Sequence, residues 1–165
     1  MALRWPDVER RFGAAHNYWL GTASPDGLPH TAPVWGLWHG GGFVFSTDPR
    51  TRKGRNLLAN PRATAHVDGA DDVLLVEGDV QILVHGRFPV PVPAELAEID
   101  RAYAAKYTWD GSPVLLSEFP SEHMVLARLT PAVAHAWTER DFLTSRSRWE
   151  RRAGVMTPTR PRGPG

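Results

Sequence analysis

The chain has 165 residues, 42% of them hydrophobic, and a formal net charge of +1 from 19 Lys and Arg against 18 Asp and Glu. That length suits one domain with one sizeable core, and the balance is that of a folded protein rather than a disordered one. Near-neutrality argues against binding nucleic acid, which calls for a broad basic face, and the absence of cysteine removes disulfides, thiolate chemistry and Cys-based metal sites.

The opening run "MALRWPDVERRFGAAHNYWLG" carries Arg4, Asp7, Glu9, Arg10 and Arg11, which break up any signal-peptide core. No stretch reaches the roughly 18 apolar residues that span a bilayer, so a cytoplasmic protein with no membrane partner is expected. Within this run, residues 6–15 read as a short helix, with Pro6 in its first turn and Val8, Arg11 and Phe12 near helical spacing. Strands follow at Tyr18–Ala23, His30–Trp38 and Phe43–Ser46, separated by the turn signals "SPDG" and "HGGG". "RKGRNLLANP" reads as a short helix closed by Asn60-Pro61. "ATAHVDG" and "VLLVEGDVQILV" are two more strands. "VPAELAEIDRAYAAKY" is a helix, with Leu96, Ile99, Tyr103 and Tyr107 three or four apart. Residues 123–137 return to strand around a break at Pro131, and from Ala153 the low apolar content predicts a disordered tail behind one domain over 1–152. Many short strands with few helices indicate a mainly β protein, an antiparallel barrel or sandwich.

The charge is local. Arg50, Arg52, Lys53, Arg55 and Arg62 fall between Asp48 and Asp68 with no acidic residue among them. The third strand delivers Ser46 and the Thr47 and Thr51 hydroxyls, then Arg52 and Lys53, to the start of a helix. There the unpaired N–H groups favour an anion, Arg offers a planar fork and Lys a compact charge. Such a constellation reads as a phosphate site; the competing readings are a solvated helix face and a nucleic-acid patch. Seven Trp suit core packing, interface anchoring or stacking on a ligand. His30, His39 and His66 stand alone on their strands, no His/Asp/Glu spacing imitates a metal site, and Glu77 is a solvent-facing carboxylate or a group beside a cleft.

Three blocks carry a resemblance: "GTASPDGLPHTAPVWGLW", "GGFVFSTDPRTRKGRNLLANPRATAHV" and "LLVEGDVQ". Together they resemble the flavin-binding split-barrel group that includes pyridoxamine 5'-phosphate oxidase and the deazaflavin-dependent reductases, from about Tyr18 to Val84 and more weakly as far as Trp149. The resemblance implies a six-stranded antiparallel split barrel, a homodimer with cofactors between subunits, and a flavin phosphate held by Thr51, Arg52 and Lys53. It further implies contacts from Ser46, Thr47 and Asn56, and a ring lined by Pro33, Val34, Trp35 and Gly36, with Trp137 and Arg148 reaching the partner's cofactor. Val73 stands where oxidases of the group often carry a ring-contacting Gln, and "AWTERDFLTSRSRW" does not match their substrate segment. Vitamin B6 oxidation is therefore not expected. The resemblance leads to a redox enzyme using coenzyme F-420, placed ahead of FMN, acting on a small organic substrate; a flavin- or haem-binding carrier without turnover stays open beside it.

Overall fold

Alternating apolar runs broken by Gly- and Pro-marked turns close on themselves, because only a ring of strands pairs every edge while burying one face. The computed structural model describes residues 3–69 and 71–159. In chain order the elements are α1 (Trp5–Ala14), β1 (Tyr18–Ala23), β2 (Pro29–Val34), β3 (Gly36–His39), β4 (Gly42–Thr47), α2 (Arg52–Ala59), β5 (Arg62–Val67), β6 (Asp72–His85) and α3 (Ala94–Lys106). Then come β7 (Thr108–Trp109), β8 (Ser112–Pro113), 3-10 turns at Leu116–Glu118 and Ser121–His123, β9 (Val125–Thr138), α4 (Phe142–Ser145), β10 (Ser147–Arg152) and β11 (Val155–Thr159).

All pairings are antiparallel. β1 pairs with β2 and β5, β5 with β6, β6 with β9, β9 with β4, and β4 with β3. Since β2 and β3 are one run interrupted at Trp35, six strands complete the ring, and the mainly β split barrel is the observed fold. The split lies where that run changes partner: β2 pairs only with β1 and β3 only with β4. The single strand expected over His30–Trp38 is thus two, because the residues before and after Trp35 find different neighbours. Gly36 sits at the changeover, where a Cβ would come within 2.4 Å of the Phe43 ring and 2.5 Å of the Val44 carbonyl. The break expected at Pro131 is instead a register shift inside a continuous β9, opposite Gly78.

Two cores result. Inward residues Tyr18, Leu20, Phe43, Phe45, Ala65, Val76 and Leu129 fill the barrel, which α1 plugs with Val8 and Phe12. On the outside, α3 lays Leu96, Ile99 and Tyr103 over Leu37, Val44 and Leu126. β10 and β11 extend the sheet beyond the ring. The disorder expected from Ala153 is corrected for Val155–Thr159: β11 pairs with β10 from Val155 to Thr159, and it buries Met156 beside Trp149. Backbone pairing makes that strand despite its few apolar side chains. Residues 160–165 of the expected tail lie outside the described residues. No described helix is long and apolar enough to cross a membrane.

Candidate cofactor site

α2 begins where β4 ends, and the connection is knotted by one residue. The Asp48 carbonyl accepts from the Thr51 N–H at 3.1 Å and from the Thr51 hydroxyl at 2.7 Å. Thr51 is the N-cap, its Oγ1 accepting from the Gly54 N–H at 3.1 Å and lying 3.2 Å from the Thr47 hydroxyl. Gly54 permits this packing, because a Cβ there would stand 2.2 Å from the Asp48 carbonyl. The two threonine hydroxyls are therefore brought together, with Arg52 and Lys53 on the first turn above them.

The basic cluster is not uniformly free. Arg50 donates Nη2 to Asp48 Oδ2 at 2.7 Å, Arg55 donates to the Arg50 carbonyl, and exposed Arg62 stands 4.0 Å from Asp79. Among the described residues no ion pair or side-chain hydrogen bond engages Arg52 or Lys53. Asp26, in the β1–β2 turn, is held below the ordinary carboxylate range chiefly by the Ser24 hydroxyl, with the charge of Arg52 adding a smaller pull. That turn therefore lies near the start of α2. Arg52 and Lys53 meet the helix N-terminus as the available cations, which is the donor set an anionic tail requires.

The remaining residues divide. Ser46 faces away from the barrel, on the side of Tyr103; burial pushes the Tyr103 phenol up, and Ser46 opposes that rise. Asn56 is buried and donates Nδ2 to Thr22 Oγ1 at 3.1 Å, fastening α2 to β1. Pro33 is exposed, paired across the strands with Trp19, and Val34 is buried in the barrel core. Trp35 stacks on Tyr107 with centroids 4.7 Å apart and planes at 9°, and meets Trp109 at 6.2 Å. Tyr107 in turn donates to the Gly36 carbonyl at 2.7 Å and accepts from its N–H at 3.0 Å. Lys106 donates to the same carbonyl at 2.8 Å, to the Gly13 carbonyl at 3.1 Å and to the Tyr18 hydroxyl at 2.8 Å, while burial pushes its ammonium down to about 8. Sequence reasoning missed this brace, since nothing local marks Lys106 as a partner of a residue 70 positions earlier.

Trp137 and Arg148 are not joined to the triplet within one chain. Thr47 pairs with Val125 near the start of β9, and Trp137 lies twelve residues farther on, about 40 Å of strand. Trp137 meets Phe142 at 6.2 Å, and Arg148 contacts Glu150 and donates to Thr159 Oγ1 at 3.1 Å. Both belong to the outward sheet face that also carries His66, Leu75, Glu77 and His135, whose imidazolium burial disfavours while Glu77 supports it. An open groove of about 520 Å³ crosses the face, lined by Gly21, Thr31, Thr64, Glu77 and Val133 among others. Of the Trp-rich complement, Trp5, Trp38 and Trp149 pack together, with Trp5 5.9 Å from Trp38 and 5.8 Å from Trp149.

Residues 6–138, which include the barrel and α2, match the family described as pyridoxamine 5'-phosphate oxidase. The chain belongs to that family. No curated protein matches it. Among solved structures it is similar to a pyridoxamine 5'-phosphate oxidase-related, FMN binding protein from Nostoc punctiforme PCC 73102, at 18% identity over 93% of this chain and 92% of the other, with TM-score 0.59. It is similar to an F420 reductase at 23% identity, over 76% of this chain and 94% of the other, with TM-score 0.55. It is also similar to HutZ, the heme storage protein from Vibrio cholerae, at 18% identity over 79% and 91%, with TM-score 0.57. At such identities the likeness is one of fold, and the solved structures that share this fold carry more than one named ligand.

Proposed function

We propose that the protein is an oxidoreductase that binds coenzyme F-420 or FMN, with the anionic tail held by Thr51, Arg52 and Lys53. The observation that carries this reading is the pair of unengaged cations on the first turn of α2, beside two converging threonine hydroxyls, in a cluster whose other members already have partners. The donor set fits a phosphate: the Arg52 guanidinium fork, the Lys53 ammonium and the free backbone N–H groups of the first turn, with the Thr51 hydroxyl shaping the turn through its bond to the Asp48 carbonyl. The ring would run along Pro33, Val34, Trp35 and Gly36, at the split between β2 and β3.

When bound, a flavin or deazaflavin supplies hydride transfer, so the chain itself needs to bind, orient and shield it. Tyr107 and Lys106 fix the Gly36 peptide, and Trp35 with Trp109 offers an aromatic wall for a small organic substrate. The separation of Trp137 and Arg148 from the triplet supports a homodimer in which one copy contributes them to the other's cofactor. A cytoplasmic setting accords with this reading.

Equilibrium titration with F-420 and with FMN tests it. Micromolar or tighter binding of one, weakened in R52A/K53A, is expected; binding of neither would remove the hypothesis. The likeness to a heme storage protein supports a second reading, a haem or flavin carrier. Tight cofactor that no donor or acceptor reduces or reoxidises, or a haem Soret band in the purified protein, would favour it.

A further inference from the structure

The split between β2 and β3 falls where one rung of a ladder is missing. β1 and β2 pair from Ala23 with Pro29 to Tyr18 with Val34, and in antiparallel strands hydrogen-bonded and non-bonded pairs alternate. At the turn end of this ladder the Ser24 N–H donates to the Leu28 carbonyl at 3.1 Å, which puts Tyr18 and Val34 among the bonded pairs. Pro29 and Pro33, which have no N–H to give, stand in non-bonded ones. The same register makes His16 and Gly36 the next bonded pair. That rung is not made. The Gly36 N–H donates instead to the Tyr107 hydroxyl at 3.0 Å, and this hydroxyl stands 2.7 Å from both the His16 and the Gly36 carbonyls. Lys106 Nζ donates to the Gly36 carbonyl at 2.8 Å, in the place of the His16 N–H, which leaves the one phenol proton free to serve His16. An oxygen from the end of α3 is thus inserted into a β1–β2 ladder hydrogen bond.

We propose that Tyr107 is a positioning residue for the cofactor: its hydroxyl, wedged between His16 and Gly36, holds the split open and so sets where the ring lies along Trp35 and Gly36. This rests on the placement of the ring at that split. Two hydrogen bonds in series hold β1 and the Gly36 peptide farther apart than one would, and from Gly36 onward the run pairs with β4 instead. The ring of the same tyrosine stacks on Trp35, with centroids 4.7 Å apart and planes at 9°, so one side chain fixes both the peptide and the indole of the ring-lining segment. Without the hydroxyl the buried Gly36 N–H loses its acceptor, and the segment must turn or close on β1 to find another. Either movement displaces the wall that the ring lies against, while the first turn of α2 and its cations stay as they are.

Two measurements test this. In the cofactor-free wild type, amide exchange followed by NMR should find the Gly36 N–H protected and the His16 N–H freely exchanging. Protection of both would mean that the rung is closed and would overturn the proposal without recourse to any variant. The second is titration with F-420 or FMN, whichever the wild type binds, of wild type, Y107F, R52A/K53A and the triple variant. Y107F keeps the stack on Trp35 and loses only the hydroxyl. It should bind about threefold to tenfold more weakly, the worth of one net hydrogen bond, and the visible absorption band of the bound ring should shift. A loss of overall stability alone would leave that band in place. R52A/K53A should cost the same factor in either background, to within about twofold, because tail and ring are held by separate groups. Wild-type affinity and an unshifted band in Y107F, beside weakened binding in R52A/K53A, overturn the proposal and leave the tail assignment intact. Failure of the wild type to bind either cofactor overturns both.

Discussion

Lys106 spends all three ammonium protons on the Gly13 and Gly36 carbonyls and the Tyr18 hydroxyl, joining α1, the β2–β3 changeover and α3. Replacing it with Met keeps the stem but leaves those acceptors without their donor, so K106M should lose about 1–3 kcal/mol in urea unfolding. The pH dependence has a definite sign. The folded pKa of about 8 is below the unfolded 10.5, so between those values the unfolded chain holds a proton that the folded one does not. Stability contributed at this position therefore rises with pH across that window, and the gap between wild type and K106M should widen from pH 7 to pH 9.5. A gap that narrows would contradict the assigned environment. This lysine was not legible beforehand: its partners lie 70 to 93 residues away, and no local spacing encodes such contacts.

Elements were easier to read where local chemistry sets them. Asn60-Pro61 as stop marks the end of α2 in the sequence, and the structure has Arg52–Ala59, with Thr51 capping Gly54 at the start. T51A removes the cap and one hydroxyl of the proposed site, and should cost about 0.5–2 kcal/mol of stability as well as cofactor affinity. Two elements were illegible because tertiary pairing makes them. The alternation through Val34, Trp35, Gly36 and Leu37 is that of one strand, and only the choice of β1 or β4 as neighbour divides it. β11 looks like a tail, yet its ladder to β10 covers Trp149, which is 2% exposed, and Met156, which is 6% exposed. Truncation after Gly154 should therefore lower stability by about 2–4 kcal/mol, read from the denaturant midpoint; an unchanged midpoint would show that the strand is dispensable.

For the whole molecule, the barrel was legible from its many short strands and turn residues, and the triplet from its charge and threonine spacing. The placement of Trp137 and Arg148 was not, because distance along β9 appears only once the ring is closed. In the proposed homodimer the second copy would cover the outward sheet face, which carries half-exposed Trp19 and has exposed Phe142 and Leu143 near its edge. Light scattering should report twice the 18.3 kDa chain mass, and R148A should weaken cofactor binding without altering that mass; a monomer that binds cofactor with full affinity would contradict the shared site. The most direct measurement is the cofactor affinity of folded R52A/K53A. The account predicts a loss of about 1.5–3 kcal/mol for each charged hydrogen bond removed, with unfolding unchanged. Wild-type affinity in that double variant would show that the anion is held elsewhere.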